Sequence, residues 1–206
     1  MAVILSITPE RFRMRIEFDD ESALSVRKKD IAGLAICIGM ETDPESLCGR
    51  ICAYQLDDGY EAALCILDVC ARTEKEIRQK LLFKGYLPPV IDAVISRLKD
   101  ARLLDDDLIA ARLVQSAARS GKGRYVIRQK LRARGIDPDA CPEALESVDE
   151  EQQAESCLAQ AQKLIKKYAG ADARAAKAKL SQALARRGFS WQSIEYALER
   201  LDINED

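Results

Sequence analysis

The side chains best suited to bind a partner are three arginines spaced four residues apart, Arg124, Arg128 and Arg132. On an α-helix this spacing stacks side chains in one row, and eight residues of helix extend about 12 Å. Guanidinium groups form forked hydrogen bonds with phosphates and carboxylates. The row therefore predicts contact with two or three successive phosphates of a nucleic acid, or with a row of carboxylates on a protein.

Charge in the C-terminal half is separated into blocks, which supports a polyanionic partner. Residues 108–136 carry eight bases and no acid, residues 137–155 carry eight acids and no base, and residues 156–194 carry eight bases. Like charges four residues apart on a helix repel each other by about 0.2–0.5 kcal/mol, so a partner that offsets this cost is expected. A solvated helix face is the alternative for any single arginine. The candidate binding residues are Arg119, Lys122, Arg124, Tyr125, Arg128, Lys130, Arg132, Arg134, Lys163, Lys166, Lys167, Lys177, Arg186 and Arg187.

Residue types that catalyse reactions or bind metals are sparse. The chain has no His, the commonest general base and metal ligand. Its seven Cys form no compact four-ligand zinc pattern, and we interpret them as small buried hydrophobes that stay reduced in the cytosol. SGKGR at 120–124 resembles a phosphate loop, but Ser116 replaces its first Gly and Gly123 its hydroxyl residue. We expect no cofactor, no metal, no enzymatic activity and a cytoplasmic location.

Two aromatic residues are secondary candidates. Tyr125 lies inside the basic segment and is a weak contact candidate. Trp191 lies in the first turn of the last predicted helix, where a core or hydrophobic-staple role is favoured over base stacking.

The elements that position these residues follow from a repeated pattern. KLLFKGY at 80–86, KLRARGI at 130–136 and ALARRGF at 183–189 each place a Leu four residues before a Gly, with a base just before that Gly. Apolar residues on both sides recur at helical spacing, and Gly suits a helix end in the left-handed conformation. A third amphipathic stretch precedes each helix pair. The pattern predicts three tandem three-helix units, at 59–104, 105–149 and 150–206.

Signals for helix starts accompany the repeats. Thr73 and Glu76 form a capping-box pattern, and Pro88 suits a first helical turn. Asp137 before Pro138 and Ser190 before Trp191 have the residue types of N-caps.

Residues 1–58 differ from the repeats and predict a small extension that contains strands. RFRMRIEF at 11–18 alternates apolar and charged residues, as a half-buried strand does. We expect further strands at 23–27 and 3–7, and helices at 30–38, ended by Gly39, and at 44–56. MAVILSI at the start is too short to span a bilayer.

The stretch LDDDLIAARLVQSAARSGKGRYVIRQKLRARGI, at 104–136, resembles the signature of the RecX family of recombinase regulators. The first unit, ALCILDVCARTEKEIRQKLLFKGYLPPVIDAVISRLKDARLLDD, resembles the family's opening repeat, and the match extends from Ala62 to Leu201. Ile109 stands where the family commonly has an aromatic residue and Ala101 where it often has Gly, which affects packing. The third unit matches in spacing more than in residue types.

The resemblance implies a mainly α fold of three tandem three-helix repeats in an elongated curved body, with a small N-terminal extension that contains a β-hairpin. It also implies a non-enzymatic, monomeric regulator that binds the RecA recombinase filament. Such a protein inhibits recombination and ATP hydrolysis and acts in DNA repair and SOS-type regulation. Many family members also bind DNA, so single- or double-stranded DNA is a second expected partner. A general DNA-binding module of helical repeats is the alternative function.

Overall fold

The computed structural model describes residues 1–11, 13–146, 148–168 and 172–201. The chain divides into two compact units, Met1–Asp105 and Asp106–Asp206. Most described residues are helical and the strands are confined to the N-terminal part, which confirms the predicted fold class. The elongated curved arrangement of the repeats stays a prediction. Among the described residues no helix is both long and apolar enough to cross a membrane.

The first unit begins with an antiparallel sheet of four strands, β1 (Ala2–Glu10), β2 (Arg13–Phe18), β3 (Ala23–Val26) and β4 (Glu41–Thr42), in the order β3-β2-β1-β4. Ile7 of β1 lies opposite Ile16 of β2, and Met14 of β2 lies opposite Val26 of β3. The predicted alternation in β2 is confirmed, because Ile16 and Phe18 are buried while the intervening Glu17 is not. Phe12 of the predicted strand lies outside the described residues.

Two helix predictions for the N-terminal part are wrong. The helix expected at 30–38 ends at Gly33, because the chain turns at Ala35, whose φ is 50°. The helix expected at 44–56 and the amphipathic stretch that precedes the first helix pair are one continuous helix, within which Gly59 is buried. A Cβ on Gly59 would lie 3.2 Å from the ring of Tyr86, so this glycine permits close packing and does not end a helix. The helices of this unit are α1 (Lys28–Gly33), α2 (Pro44–Val69), α3 (Glu74–Phe83) and α4 (Pro88–Asp100).

The predicted capping box of α3 is present. The Thr73 hydroxyl accepts a hydrogen bond from the Glu76 amide, and the Glu76 carboxylate accepts one from the Thr73 amide. Pro88 lies in the first turn of α4 as predicted. The three repeat glycines, Gly85, Gly135 and Gly188, have φ values of 91°, 85° and 88°, which confirms their predicted left-handed conformation after a helix end.

Sheet and helices of the first unit share one core. Ile4 and Ile16 from the sheet, Leu47 from α2 and Ile77 from α3 are fully buried in the same hydrophobic cluster. The N-terminal strands therefore complete the packing of the first three-helix unit, and α2 crosses the predicted boundary at residue 58. The predicted division at 1–58, 59–104, 105–149 and 150–206 stays a prediction.

A buried polar network also joins the parts of the first unit. The fully buried Asp30 carboxylate accepts hydrogen bonds from the Arg27 guanidinium at 2.6 Å and from the Gln55 side chain at 2.6 Å. Gln55 in turn accepts one from the amide of Leu87 at 2.9 Å. Because Asp30 lies in α1, Gln55 in α2 and Leu87 at the N-cap of α4, the network fixes α1 against α2 and the start of α4.

The second unit contains two three-helix groups, each with its own core. Val114, Ile127 and Leu131 are fully buried in the first, and Leu180 and Leu184 in the second. The helices are α5 (Asp106–Arg119), α6 (Arg124–Ala133), α7 (Pro142–Glu146), α8 (Glu150–Ile165), α9 (Ala173–Arg186) and α10 (Trp191–Glu199), with a 3-10 turn at Lys166–Tyr168.

One predicted helix start in the second unit is wrong and one is confirmed. Asp137 does not cap a helix, since its carboxylate accepts a hydrogen bond from the Asp139 amide and its carbonyl accepts one from the Ala140 amide. These bonds close a turn, and α7 starts only at Pro142. Ser190 caps α10, as predicted, by accepting a hydrogen bond from the Ser193 amide.

Candidate functional site

The candidate site is centred on α6, which carries the row of arginines. Ile127 and Leu131 lie four residues apart and are fully buried, so they fix one face of α6 in the core. Arg124, Arg128 and Arg132 have the same four-residue spacing and lie beside that buried face. A helix anchored in this way holds the backbone of its charged residues in place before any partner binds.

The three arginines differ in their surroundings. Arg124 and Arg132 are exposed and form no ion pair within the described ranges. Arg128 retains 27% of its side-chain exposure and donates a hydrogen bond to the Asp139 carboxylate at 2.5 Å. This bond, together with the positive charge, lowers the pKa of Asp139. The row is therefore interrupted at its centre by a paired charge, which sequence reasoning did not reveal.

The remaining candidates all lie in the second unit. The exposed candidates lie at the end of α5, on α6, at the end of α8 with its 3-10 turn, and at the end of α9. At the last of these places Arg186 donates a hydrogen bond to the side chain of Gln182. In order these exposed residues are Arg119, Tyr125, Lys130, Lys163, Lys166, Lys167 and Arg186; the half-buried ones are Lys122, Arg134, Lys177 and Arg187. Their role in binding stays a prediction.

A close backbone contact joins the two three-helix groups of the second unit beside the Arg row. The amide of Gly123 donates to the carbonyl of Arg187 at 2.8 Å, and the amide of Tyr125 donates to the carbonyl of Gly188 at 3.1 Å. A Cβ on Gly123 would lie 2.1 Å from the carbonyl of Gly188, so only glycine fits there. We call this contact, formed by Gly123 to Tyr125 and Arg187 to Gly188, the glycine junction.

The two glycines of SGKGR, Gly121 and Gly123, lie in the connection between α5 and α6. Sequence reasoning did not identify the role of Gly123 in the glycine junction. The sequence contains one indication of this role. Gly123 is the N-cap residue of α6, a position that residues with a capping side chain usually occupy. The amide of Arg124 is satisfied instead by the buried side chain of Gln153 from α8, at 2.8 Å.

The expectation that Trp191 serves as a core or staple residue is wrong. Its side chain is 69% exposed at the first position of α10, whereas Phe189 and Ile194 are buried in the core beneath it. Phe189 precedes the N-cap Ser190 and Ile194 follows four residues after it, which are the two positions of a hydrophobic staple. The staple positions are therefore filled without Trp191.

A groove of about 360 Å³ lies beside the glycine junction, between the starts of α6, α8 and α10. Its lining is polar: Arg124 contributes a positive charge, whereas Glu150 and Glu151 contribute carboxylates. Ser190 and Tyr196 complete the lining from α10, and the guanidinium of Arg200 stacks on the Tyr196 ring at 3.7 Å. Arg124 is the cation of this lining, and the two carboxylates beside it disfavour an anion inside the groove itself.

The cysteines divide into buried and accessible groups. Cys141 and Cys157 are buried, as expected of small hydrophobes, and burial raises the pKa of the Cys157 thiol to about 12. Burial and a hydrogen bond to Asp107 raise the pKa of Cys141 to about 11. Cys37, Cys65 and Cys70 are exposed, which departs from the expectation. No group of three or more potential metal ligands occurs in the part of the chain that the structure describes.

Comparison with protein-family models gives three consecutive matches. Residues 60–98 match "RecX, first three-helix domain", residues 105–145 match "RecX, second three-helix domain", and residues 150–198 match "RecX, third three-helix domain". Together they include α3 to α10 and the C-terminal part of α2.

Curated relatives match over most of the chain. It is 34% identical over 193 residues to "Regulatory protein RecX" of Streptococcus mutans, which covers 93% of this chain and 74% of the relative. It is 32% identical to the protein of the same name from Bacillus subtilis, over 94% of this chain and 74% of the relative.

Solved structures agree with these matches. A crystal structure of regulatory protein RecX aligns with a TM-score of 0.67 and 28% identity, over 97% of this chain and all of that one. The crystal structure of RecX from Lactobacillus salivarius aligns with a TM-score of 0.68 and 31% identity, over 74% of this chain and 99% of that one.

Proposed function

This chain belongs to the RecX family, and from that premise we propose that it is a non-enzymatic regulator that binds the RecA nucleoprotein filament and inhibits strand exchange and ATP hydrolysis. The relatives are named as regulatory proteins, which supports the regulatory role. The observation that carries the contact is the pair of exposed arginines on α6, Arg124 and Arg132, anchored above a fully buried face.

The proposed mechanism is electrostatic and steric. Arg124 and Arg132 lie eight residues apart, about 12 Å along the helix, and their guanidinium groups contact DNA phosphates or acidic side chains of the filament. Arg128 contributes less, because its pairing with Asp139 must be broken before it binds an external anion. Once attached, the protein obstructs the addition of RecA subunits or weakens the contacts between them.

Strand exchange and ATP hydrolysis by RecA filaments test this proposal. Unaltered protein at a stoichiometric ratio to RecA is expected to slow both reactions, and no effect at that ratio rejects the proposed function. The double variant Arg124→Glu with Arg132→Glu is expected to lose most of the inhibition, whereas Arg128→Glu loses less.

A control variant separates the α6 contact from a general effect of charge. Lys75 and Lys80 are exposed on α3 of the first unit, and replacing both by Glu changes the net charge by the same amount. This control is expected to inhibit normally. An equal loss of inhibition in the two double variants would contradict the role of α6.

A general DNA-binding module is the second candidate function, supported by the same exposed cations. Contact with two or three phosphates of duplex DNA gives a slope of about −2 to −3 in a plot of log affinity against log salt. Tight binding with a steeper slope, in the absence of RecA, favours this second function. The net charge of −2 argues against DNA binding as the sole activity.

A further inference from the structure

Two exposed aromatic side chains flank the glycine junction. Tyr125 is the second residue of α6 and 63% exposed, and Trp191 is the first residue of α10 and 69% exposed. Exposing two large rings to water has a hydrophobic cost. Neither ring is needed by the cores beneath, which Ile127 and Ile194 fill from the same helices.

The glycine junction holds the two aromatic residues near each other. The Tyr125 amide is hydrogen-bonded to the carbonyl of Gly188, and Trp191 follows Gly188 by three residues. Three residues of chain extend at most about 10 Å. The backbone contact therefore keeps the backbones of two aromatic residues, from two different three-helix domains, near each other although they are distant in sequence.

Cations accompany the rings. Lys122 and Arg124 lie directly before Tyr125, and Arg187 belongs to the glycine junction itself. None of these three forms an ion pair among the residues that the structure describes. The carboxylates of Glu150 and Glu151 share the neighbouring groove with Arg124, so a bound polyanion is expected to contact Lys122 and Arg124 without entering that groove.

We propose that Tyr125 and Trp191 form a stacking site for unpaired bases of single-stranded DNA, with Lys122 and Arg124 bound to its phosphates. Aromatic side chains beside a basic path bind single strands because every base presents a flat face for stacking. In a duplex these faces are already covered by neighbouring bases. The site thus prefers single-stranded over double-stranded DNA, and it depends on the DNA contact in the proposed function but not on RecA.

The fluorescence of Trp191 measures base stacking directly. Trp191 is the only tryptophan in the chain, so its emission reports on this site alone. Titration of the unaltered protein with oligothymidylate of about 16 nucleotides is expected to quench the emission. An abasic oligomer of equal length, which keeps the phosphates, is expected to leave it nearly unchanged. Equal quenching by both oligomers, or by neither, overturns the proposal.

Substitutions test the contribution of each ring to affinity. Tyr125→Ala and Trp191→Ala are each expected to weaken binding of labelled oligothymidylate, followed by anisotropy, about fivefold to a hundredfold. Binding of the abasic oligomer is expected to stay constant. Phe83→Ala is the matched control, because Phe83 is 76% exposed but belongs to the first unit. Unchanged oligothymidylate affinity in both ring variants overturns the proposal.

The inhibition assay distinguishes this site from the proposed function. If the ring variants bind oligothymidylate normally but no longer inhibit RecA, the rings contact protein, and the stacking site is wrong while the regulatory function stands. If they lose base-dependent binding and the unaltered protein has no effect on RecA, the stacking site stands without the regulatory function.

Discussion

Replacing Gly123 by Ala tests whether the glycine junction stabilises the second unit. Gly123 has φ −76° and ψ 162°, a conformation open to alanine. The substitution therefore adds no backbone strain and acts through the contact alone. The new methyl group would meet the carbonyl of Gly188 at 2.1 Å and the amide nitrogen of Phe189 at 2.3 Å.

The structure sets the magnitude of the effect. To reach the 3.4 Å of ordinary contact, the two backbones must separate by about 1.3 Å, which breaks the two hydrogen bonds of 2.8 and 3.1 Å. Each bond contributes about 1 kcal/mol, and residual crowding costs about 1–3 kcal/mol. Alanine also lowers the conformational entropy of the unfolded chain relative to glycine, which stabilises the folded state by about 0.4–1 kcal/mol. We expect a net loss of about 2–5 kcal/mol in the free energy of unfolding.

Urea unfolding followed by Trp191 fluorescence measures this loss in the second unit, where the only tryptophan lies. Hydrogen exchange of the Tyr125 amide gives an independent local measure and is expected to become faster. Gly49→Ala is the matched control, because Gly49 lies in α2 with no atom within 4 Å of an added Cβ. Because Gly49 lies in the first unit, the control is expected to leave the unfolding transition reported by Trp191 unchanged.

A Gly123→Ala protein within about 0.5 kcal/mol of the unaltered chain, with unchanged exchange at Tyr125, would refute the reasoning. Such a result would mean that the junction opens without cost and does not hold the second and third three-helix domains together.

Three further predictions concern buried groups. Asp30→Ala leaves the buried Arg27 guanidinium without its main partner and is expected to destabilise the first unit by about 3–5 kcal/mol in urea unfolding. Burial alone would raise the pKa of Asp58, but hydrogen bonds from Lys29, Tyr86 and Arg27 hold it well below its usual range. Its stabilising effect is therefore complete above pH of about 4 and is lost as pH falls further, and thermal unfolding of Asp58→Asn is expected to show a weaker dependence on acid. The Cys157 thiol, with a pKa of about 12, is expected to resist iodoacetamide at pH about 8, whereas the exposed Cys65 is alkylated, as mass spectrometry would show.

Each of these predictions has a clear contrary result. If Asp30→Ala lowered the free energy of unfolding by less than about 1 kcal/mol, the buried network would contribute no more to stability than an exposed ion pair does. An unchanged acid transition in Asp58→Asn would assign the acid sensitivity to other carboxylates. Alkylation of Cys157 as fast as that of Cys65 would mean that the core around α8 opens readily.

The features that sequence predicted correctly depend on neighbours in the chain. The capping box of Thr73 and Glu76 spans three residues, and the turn glycines each follow a helix whose buried face recurs every three or four residues. Local patterns of this kind fix where helices begin and end. They predicted the three-helix units and placed the arginines of α6 on one helix.

The features that sequence missed depend on distant partners. The boundary of the first repeat was placed at residue 59, inside α2, because nothing local shows that Gly59 packs against Tyr86 within one continuous helix. Gly123 meets Gly188 across two domains, which no spacing within either domain indicates. The pairing of Arg128 with Asp139 depends on a turn that replaced the predicted helix start at Asp137. Such contacts join residues that are distant in sequence, so no local pattern predicts them.

Helix α2 has a practical consequence for dissecting the protein. Its 26 residues make a rod of about 39 Å, and the match to the first RecX three-helix domain begins at residue 60, inside that rod. A fragment cut there would lack Leu47 and Ile51, which fill the core, and Gln55, which receives the amide of Leu87. It would also lack Ile4 and Ile16 of the sheet, which share that core, so the smallest fragment expected to fold with the first domain intact is residues 1–105.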